Sequence, residues 1–254
     1  MKKNLKQRLA DHDLTIGSWI TMGHHEVAEI MSRAGFDWLV VDMEHSAVDI
    51  ASAQRLIQVI ELSGVTPLVR VGANDPLLIK RVMDAGAVGV VVPMVNTKEE
   101  ALRAVASVYY PPRGMRGVGL TRAQDYGADF EGYKRKSEEN SVVIVQVEHI
   151  RAVENLEAIL SVPGVDGFII GPYDLSGSLG VPGDFDHPDV VAALARVGEV
   201  SRNMRPAPGF HSVSSDPALA KKKIAEGYRF VGYSLDILLL GDAARGGVSA
   251  IRES

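Results

Sequence analysis

The chain has 254 residues, a formal net charge of −5, 46% hydrophobic residues and no cysteine. That length holds either one large α/β barrel or two small domains with a substantial core, and the mild acidity, with no basic stripe, argues against a nucleic-acid partner. Without cysteine there are no disulfides, zinc–thiolate sites or thiol nucleophiles.

The amino terminus, MKKNLKQRLADHD, is basic but has no apolar segment behind it, so it does not read as a secretory signal. No stretch approaches the ~18 apolar residues that a membrane span needs. The expectation is a soluble, cytoplasmic protein.

An amphipathic helix, a glycine stop and a short apolar strand then recur, as in EIMSRAGFDWLVVD, KRVMDAGAVGVVVP, AILSVPGVDGFIIG and KKIAEGYRFVGYS. Gly35, Gly86, Gly164 and Gly227 suit the left-handed position that ends a helix. The pattern predicts eight strands, centred on Ile16–Ile20, Leu39–Asp42, Leu68–Val71, Val88–Val92, Val142–Val147, Gly167–Ile170, Ala207–Phe210 and Phe230–Tyr233. Eight βα units at this length point to a single-domain TIM (β/α)8 barrel over residues 1–254. A doubly wound open sheet is the alternative, disfavoured because no GxGxxG follows the first strand.

Two segments stand apart. After a predicted helix at Lys98–Val108, the stretch YYPPRGMRGVGLTRAQDYGADF carries Pro-Pro, several Gly and three Arg, and a loop this long inside a barrel is expected to be functional rather than a surface insertion. The final segment, Asp236 to Ile251, reads as a helix that leaves Leu238-Leu239-Leu240 exposed unless a neighbouring subunit covers them.

In a barrel of parallel strands, catalytic groups gather at the carboxyl ends. The second strand delivers Asp42, Glu44 and His45, the third Arg70, the fifth Gln146 and Glu148, the sixth Asp174, the seventh His211, and the eighth Ser234 and Asp236. Glu148 and Asp174 follow neighbouring strands of one βαβ unit, with a helix predicted at Arg151 to Leu160 between them and no Lys or Arg beside either. Their oxygens can meet one hard divalent ion such as Mg²⁺ or Mn²⁺. The plain alternative is an acid pair satisfied by helix amino termini or by a distant Arg.

Carboxylates near His45 can fix its tautomer, as a general base requires. Arg70, inside LVRV, is costly to bury without an anion; a ligand carboxylate or enolate suits it, as would Asp42 or Asp84. His24 and His25 open a helix at the surface or rim, and His12, His149 and His187 read as structural. No Lys sits at a strand's carboxyl end, so Schiff-base chemistry is not indicated and a metal is the expected electron sink.

Taken together, VDMEHS, LVRV, PMVNT, PPRGMRGVG, QVEH and GPYDLSGSLG resemble the HpcH/HpaI family of metal-dependent pyruvate aldolases, from about Thr15 to Ala244. The resemblance implies a TIM barrel holding a divalent metal (Mg²⁺, Mn²⁺ or Co²⁺) through Glu148 and Asp174. It implies His45 as catalytic base, Arg70 and Gln146 as substrate-binding groups, and Asp42 and Asp84 as acids associated with the histidine. Backbone contacts to the keto acid are implied from the PPRGMRGVG loop and from Gly171, Pro172, Asp174 and Leu175. His24, His25 and His211 stand where the family varies, facing the aldehyde half. A homohexamer is also implied. The activity implied is reversible cleavage of a 4-hydroxy-2-oxo acid, of the 2-keto-3-deoxy sugar acid or 2,4-dihydroxyhept-2-enedioate type, to pyruvate and an aldehyde.

Two rivals stand beside this reading. Phosphoenolpyruvate or decarboxylation chemistry could use a similar platform, but SGSLG after Asp174, which could cradle a phosphate, holds no Lys or Arg. A non-catalytic keto-acid sensor would not need the base.

Overall fold

Each apolar run becomes a strand flanked by the helices its neighbours predict. In the computed structural model, residues 3–253 are described. The strands are β1 (Thr15–Ile20), β2 (Trp38–Asp42), β3 (Thr66–Arg70), β4 (Gly89–Val92), β5 (Val142–Val147), β6 (Gly167–Ile170), β7 (Ala207–Ser212) and β8 (Phe230–Leu235). The helices are α1 (Leu5–Ala10), α2 (His25–Ser32), α3 (Ile50–Leu62), α4 (Pro76–Asp84), α5 (Lys98–Val108), α6 (Phe130–Asn140), α7 (Ile150–Glu154), α8 (Leu156–Leu160), α9 (Pro172–Ser178), α10 (Pro188–Ser201), α11 (Ala218–Ala225) and α12 (Asp236–Arg252). All neighbouring strands are parallel, and β8 closes on β1 to complete the barrel.

Side chains alternate across a strand, so every second residue points into the barrel. Trp38, Val40, Leu68, Val91, Val142, Ile144, Ile169, Ala207 and Phe230 fill the interior, and Leu5 and Leu9 of α1 join them, so that α1 plugs the amino-terminal mouth. Continuing the same alternation brings Asp42, Arg70, Gln146 and His211 inward at the other end. The strands' outward residues, such as Leu39, Val41, Val69, Val90 and Val145, pack under the helices. This explains why the strands read as unbroken apolar runs.

The four helix-ending glycines have φ of +94° (Gly35), +107° (Gly86), +101° (Gly164) and +106° (Gly227), as their positions require. Three expectations need correction. The helix predicted at Arg151 to Leu160 is two short helices, α7 and α8, broken at Asn155 (φ −99°, ψ 10°), whose side chain leaves the helical line to donate to the Asn96 carbonyl at 2.9 Å.

The long segment after α5 does not reach the strands' carboxyl ends within the chain. It folds against the far ends of α4 and α6: Arg116 bonds Asp84, Thr121 Oγ1 donates to the Asp84 carbonyl at 2.8 Å, and Arg113 bonds Glu138. In α12, Leu239 packs on the core, and the exposed apolar residues are Ile237, Leu240, Val248 and Ile251, not the three successive leucines. No helix among the described residues is long and apolar enough to cross a membrane.

Candidate active site

At the carboxyl ends of the strands lies a cavity of about 200 Å³, lined by Asp42, His45, Arg70, Gln146, Gly171, Pro172 and Asp174, with Trp19 and His211 on the facing wall. Two larger clefts, of about 550 and 630 Å³, open among outer helices beside Arg122 and Lys136 and beside His12 and Arg202. Neither has a strand's carboxyl end in its wall, and the smaller cavity is the one with convergent polar groups.

Arg70 and Asp42 are register partners on β3 and β2, so their inward side chains meet directly. The guanidinium donates through Nε (2.9 Å) and Nη2 (2.6 Å) to the two Asp42 oxygens, a bidentate pair. Its Nη1 lies 3.3 Å from Glu44 Oε2. Burial alone would raise Asp42, but the Arg70 bonds and charge outweigh it and hold the carboxyl below the usual range. Asp42 Oδ1 also accepts from the backbone amides of Glu44 (3.0 Å) and His45 (3.3 Å), so it shapes the turn that carries both. Asp42 therefore holds His45 through its backbone, whereas its Nε2 is 3.9 Å from Glu44 and its ring is open at the cavity mouth, with 63% of the side chain exposed.

Glu148 is buried, accepts from the Met94 amide at 2.7 Å, and is bonded by Gln146 Nε2. Met94 turns that amide inward by adopting φ +52°, an uncommon conformation for a side chain of its size. Gly171 leaves the room: a Cβ there would come within 3.1 Å of both Gln146 Nε2 and Glu148 Oε2. Burial, partly offset by the Met94 amide, and the nearby charges of Glu44 and Asp174 push Glu148 up to about 7. Glu44 is likewise pushed up to about 7 by burial, against the pull of Arg70, with Asp42 and Asp174 adding repulsion. Glu44 is thus a third acid whose charge is felt by Glu148, a role its sequence position beside His45 did not reveal.

Among the described residues no three His, Asp or Glu side chains converge as a ready ligand set. The donor chemistry nonetheless fits a divalent cation held by two carboxylates. Three acids repel one another around Glu148, Arg70 is committed to Asp42 and Glu44, and the buried Gln146 Oε1 has no hydrogen-bond donor.

The remaining sequence candidates divide. Asp174, on the first turn of α9, is exposed at the cavity rim, and Pro172 is buried in its wall. Leu175 is fully buried and its amide is already spent on the Gly171 carbonyl at 3.0 Å, so it has no donor left for a keto acid. The amides of Gly114, Met115 and Arg116 are likewise taken by the carbonyls of Tyr110, Ala106 and Tyr109. Asp84 ends α4 and pairs with Arg116 at 2.5 Å; it does not meet His45 within the chain.

His24 and His25 are exposed outside the cavity, whereas His211 lines it. Asp236 is a structural anchor, accepting from the Thr21 amide (2.8 Å), the Thr21 hydroxyl (2.6 Å) and the Met22 amide (2.9 Å). His12 makes a hydrogen bond to the Arg205 carbonyl, and His149 and His187 cap helices through Nδ1, as structural histidines do.

A closed (β/α)8 barrel with its charged groups collected at the carboxyl rim has the architecture of a TIM-barrel enzyme. The model of the HpcH/HpaI aldolase/citrate lyase family matches residues 15–243, and the chain belongs to that family. It is 38% identical to a hydroxypyruvate/pyruvate aldolase of Cupriavidus necator, covering 98% of this chain and 92% of the relative. It is also 38% identical to a 2-keto-3-deoxy-L-rhamnonate aldolase of Salmonella gallinarum, covering 94% and 89%. Among solved structures, an HpcH/HpaI aldolase/citrate lyase family protein from Burkholderia cenocepacia superposes with a TM-score of 0.92 at 37% identity, covering 98% of each chain.

Proposed function

We propose that the protein is a carbon–carbon lyase that reversibly cleaves a 4-hydroxy-2-oxo acid to pyruvate and an aldehyde, with a divalent metal held by Glu148 and Asp174. The observation that carries this reading is the charge balance of the site: Glu44, Glu148 and Asp174 repel one another while the nearby guanidinium is committed to Asp42 and Glu44. A dication with Mg²⁺-, Mn²⁺- or Co²⁺-like preference for oxygen relieves that repulsion. Bound there, it supplies Lewis-acid polarisation of the substrate ketone. Among the relatives, one aldolase is named for hydroxypyruvate and pyruvate and another for 2-keto-3-deoxy-L-rhamnonate, an acid of this kind.

The chain's own groups have distinct tasks. Arg70, held rigid by Asp42, aims positive charge at the oxygen that becomes negative as the C3–C4 bond breaks. His45, at the open lip, takes the C4 hydroxyl proton; the electron pair of the C3–C4 bond passes to the pyruvate enolate and the aldehyde leaves. A proton delivered to C3 then releases pyruvate. Gln146 orients Glu148, and Met94 fixes it through the backbone.

Phosphoenolpyruvate chemistry is disfavoured because the residues after Asp174 bring no cation for a phosphate. Work on small keto acids suits a cytoplasmic location. The exposed stripe on α12 supports a homo-oligomer, with a hexamer as the family-based expectation. The test is product formation from pyruvate and a panel of aldehydes, with and without chelator. Metal-dependent 4-hydroxy-2-oxo acid is expected; full turnover after exhaustive chelation would contradict the metal's role.

A further inference from the structure

His211 is a partly buried histidine of the cavity wall that the cleavage chemistry does not use. Its ring stacks on Trp19, with centroids 4.1 Å apart and planes at 11°, in the cavity wall facing the metal-site acids. Its Nε2 lies 3.1 Å from the Ser234 carbonyl oxygen. A carbonyl only accepts, so Nε2 carries the proton and Nδ1 is a bare lone pair.

The backbone is bent to make that bond. Between Gly17 and Trp19 the register of β1 on β8 slips, adding a residue to β8, and Ser234 there adopts φ +55°. Bulges of this kind re-aim groups next to active sites. The Ser234 carbonyl is also bonded by Ser18 Oγ at 3.3 Å, which holds it in place. Burial, against the Ser234 bond and aided by the Arg70 charge, pushes His211 down to about 4, so it is neutral at working pH. Nδ1 has no partner among the described residues and is not among the enclosed unpartnered atoms.

Around it the lining is apolar at Trp19, Val213, Leu235 and Ile237, and the Thr21 hydroxyl there donates its proton to Asp236 at 2.6 Å. The ionisable groups of the cavity are Asp42, His45, Arg70, Tyr173, Asp174 and His211, and its single fixed cation, Arg70, is engaged. A second carboxylate or a sulfonate on the aldehyde half would meet no countercharge there. A hydroxyl would meet the unpartnered Nδ1 of His211.

We infer that His211 is a specificity-determining residue, whose bare Nδ1 accepts a hydrogen bond from a hydroxyl of the aldehyde half, so that the enzyme selects short, uncharged hydroxyaldehydes over apolar and anionic ones. This rests on the aldolase reading above.

The experiment uses the full chain with saturating Mn²⁺, pyruvate as common donor, and lactaldehyde, propanal or succinic semialdehyde as acceptor. Lactaldehyde is expected to exceed propanal in kcat/KM by roughly tenfold, the scale of one hydrogen bond, and to exceed the semialdehyde by more. His211→Phe keeps a ring for Trp19 but removes the acceptor, and is expected to bring the lactaldehyde-to-propanal ratio close to one. Equal rates in the wild type, a ratio that survives His211→Phe, or preference for the anionic acceptor would overturn the inference.

Nitrogen NMR of the wild-type histidines tests it without a variant and without turnover. Nε2 is expected to be protonated and Nδ1 bare, with the Nδ1 resonance moved by lactaldehyde and not by propanal in the presence of pyruvate and metal. A reversed tautomer, or equal response to both aldehydes, would overturn it. If that response appears and no carbon–carbon bond forms with any acceptor, the failure belongs to the aldolase reading and not to His211.

Discussion

Arg70 shows how one residue serves two demands that a lysine could not meet together. Its fork spans both oxygens of Asp42 while Nη1 approaches Glu44, and Asp42 in turn holds the backbone of the His45 turn. An ammonium is a point charge and cannot keep that bidentate geometry. Arg70→Lys is therefore expected to lower kcat by about 10²-fold, the scale of losing a preorganised charge in the transition state, with a smaller change in KM. A kcat unchanged from wild type would make Arg70 a purely structural ion pair. The acids give a pH dependence of definite sign. Glu44 and Glu148 are raised in the folded, metal-free chain from 4.5 to about 7, so that state binds more protons than the unfolded chain between those values. Metal-free stability should then fall as pH rises through this window, and metal affinity should rise, because binding displaces those protons. Thermal melts with chelator and metal titrations by calorimetry, each at pH 5.5 and 7.5, check both signs. Glu148→Gln should abolish the calorimetric metal signal.

At the scale of elements, the barrel depends on close approaches that only glycine permits. A Cβ on Gly17 of β1 would fall 2.0 Å from the Trp38 ring, which itself stacks on Phe230 with centroids 4.0 Å apart. Gly17→Ala is expected to cost at least the ~1–3 kcal/mol typical of overpacking, read as a lowered melting temperature; an unchanged one would mean the Trp38 layer is loose. Most of the strands were legible because they are short apolar runs rich in Val and Ile that follow a helix-ending glycine, as in β2, β4 and β6. The rim residues were legible for the same reason, since polar groups ending such runs, such as Arg70 and Glu148, have one place to go. The break at Asn155 was not, because it depends on a bond to the Asn96 carbonyl on another loop. Nor was the destination of the segment around Arg116: its glycines and arginines advertise a special loop, but only the bonds from Arg116 and Thr121 to Asp84 at the end of α4 show that it lies away from the cavity. Glu44's place among the acids and the tautomer of His211 were hidden likewise, one by side-chain direction and the other by a bulge.

At the scale of the whole molecule, α12 leaves the barrel with Ile237, Leu240, Val248 and Ile251 at 48, 62, 49 and 75% exposure. Their spacing of three, eight and three residues puts them near one face, and a helix exposing such a face is best accounted for by a second copy. Light scattering at micromolar concentration is expected to report an oligomer, and Leu240→Asp with Val248→Asp to dissociate it; a wild-type monomer would contradict this account. The central claim, that Glu148 and Asp174 with a metal, together with Arg70, form an enolising site for the pyruvate half, is tested most directly on pyruvate alone. In deuterated buffer, the protein loaded with a divalent metal is expected to exchange the methyl protons of pyruvate, observed by proton NMR with no aldehyde present, and to stop on chelation. Methyl protons that stay in place in the metal-loaded protein would contradict it.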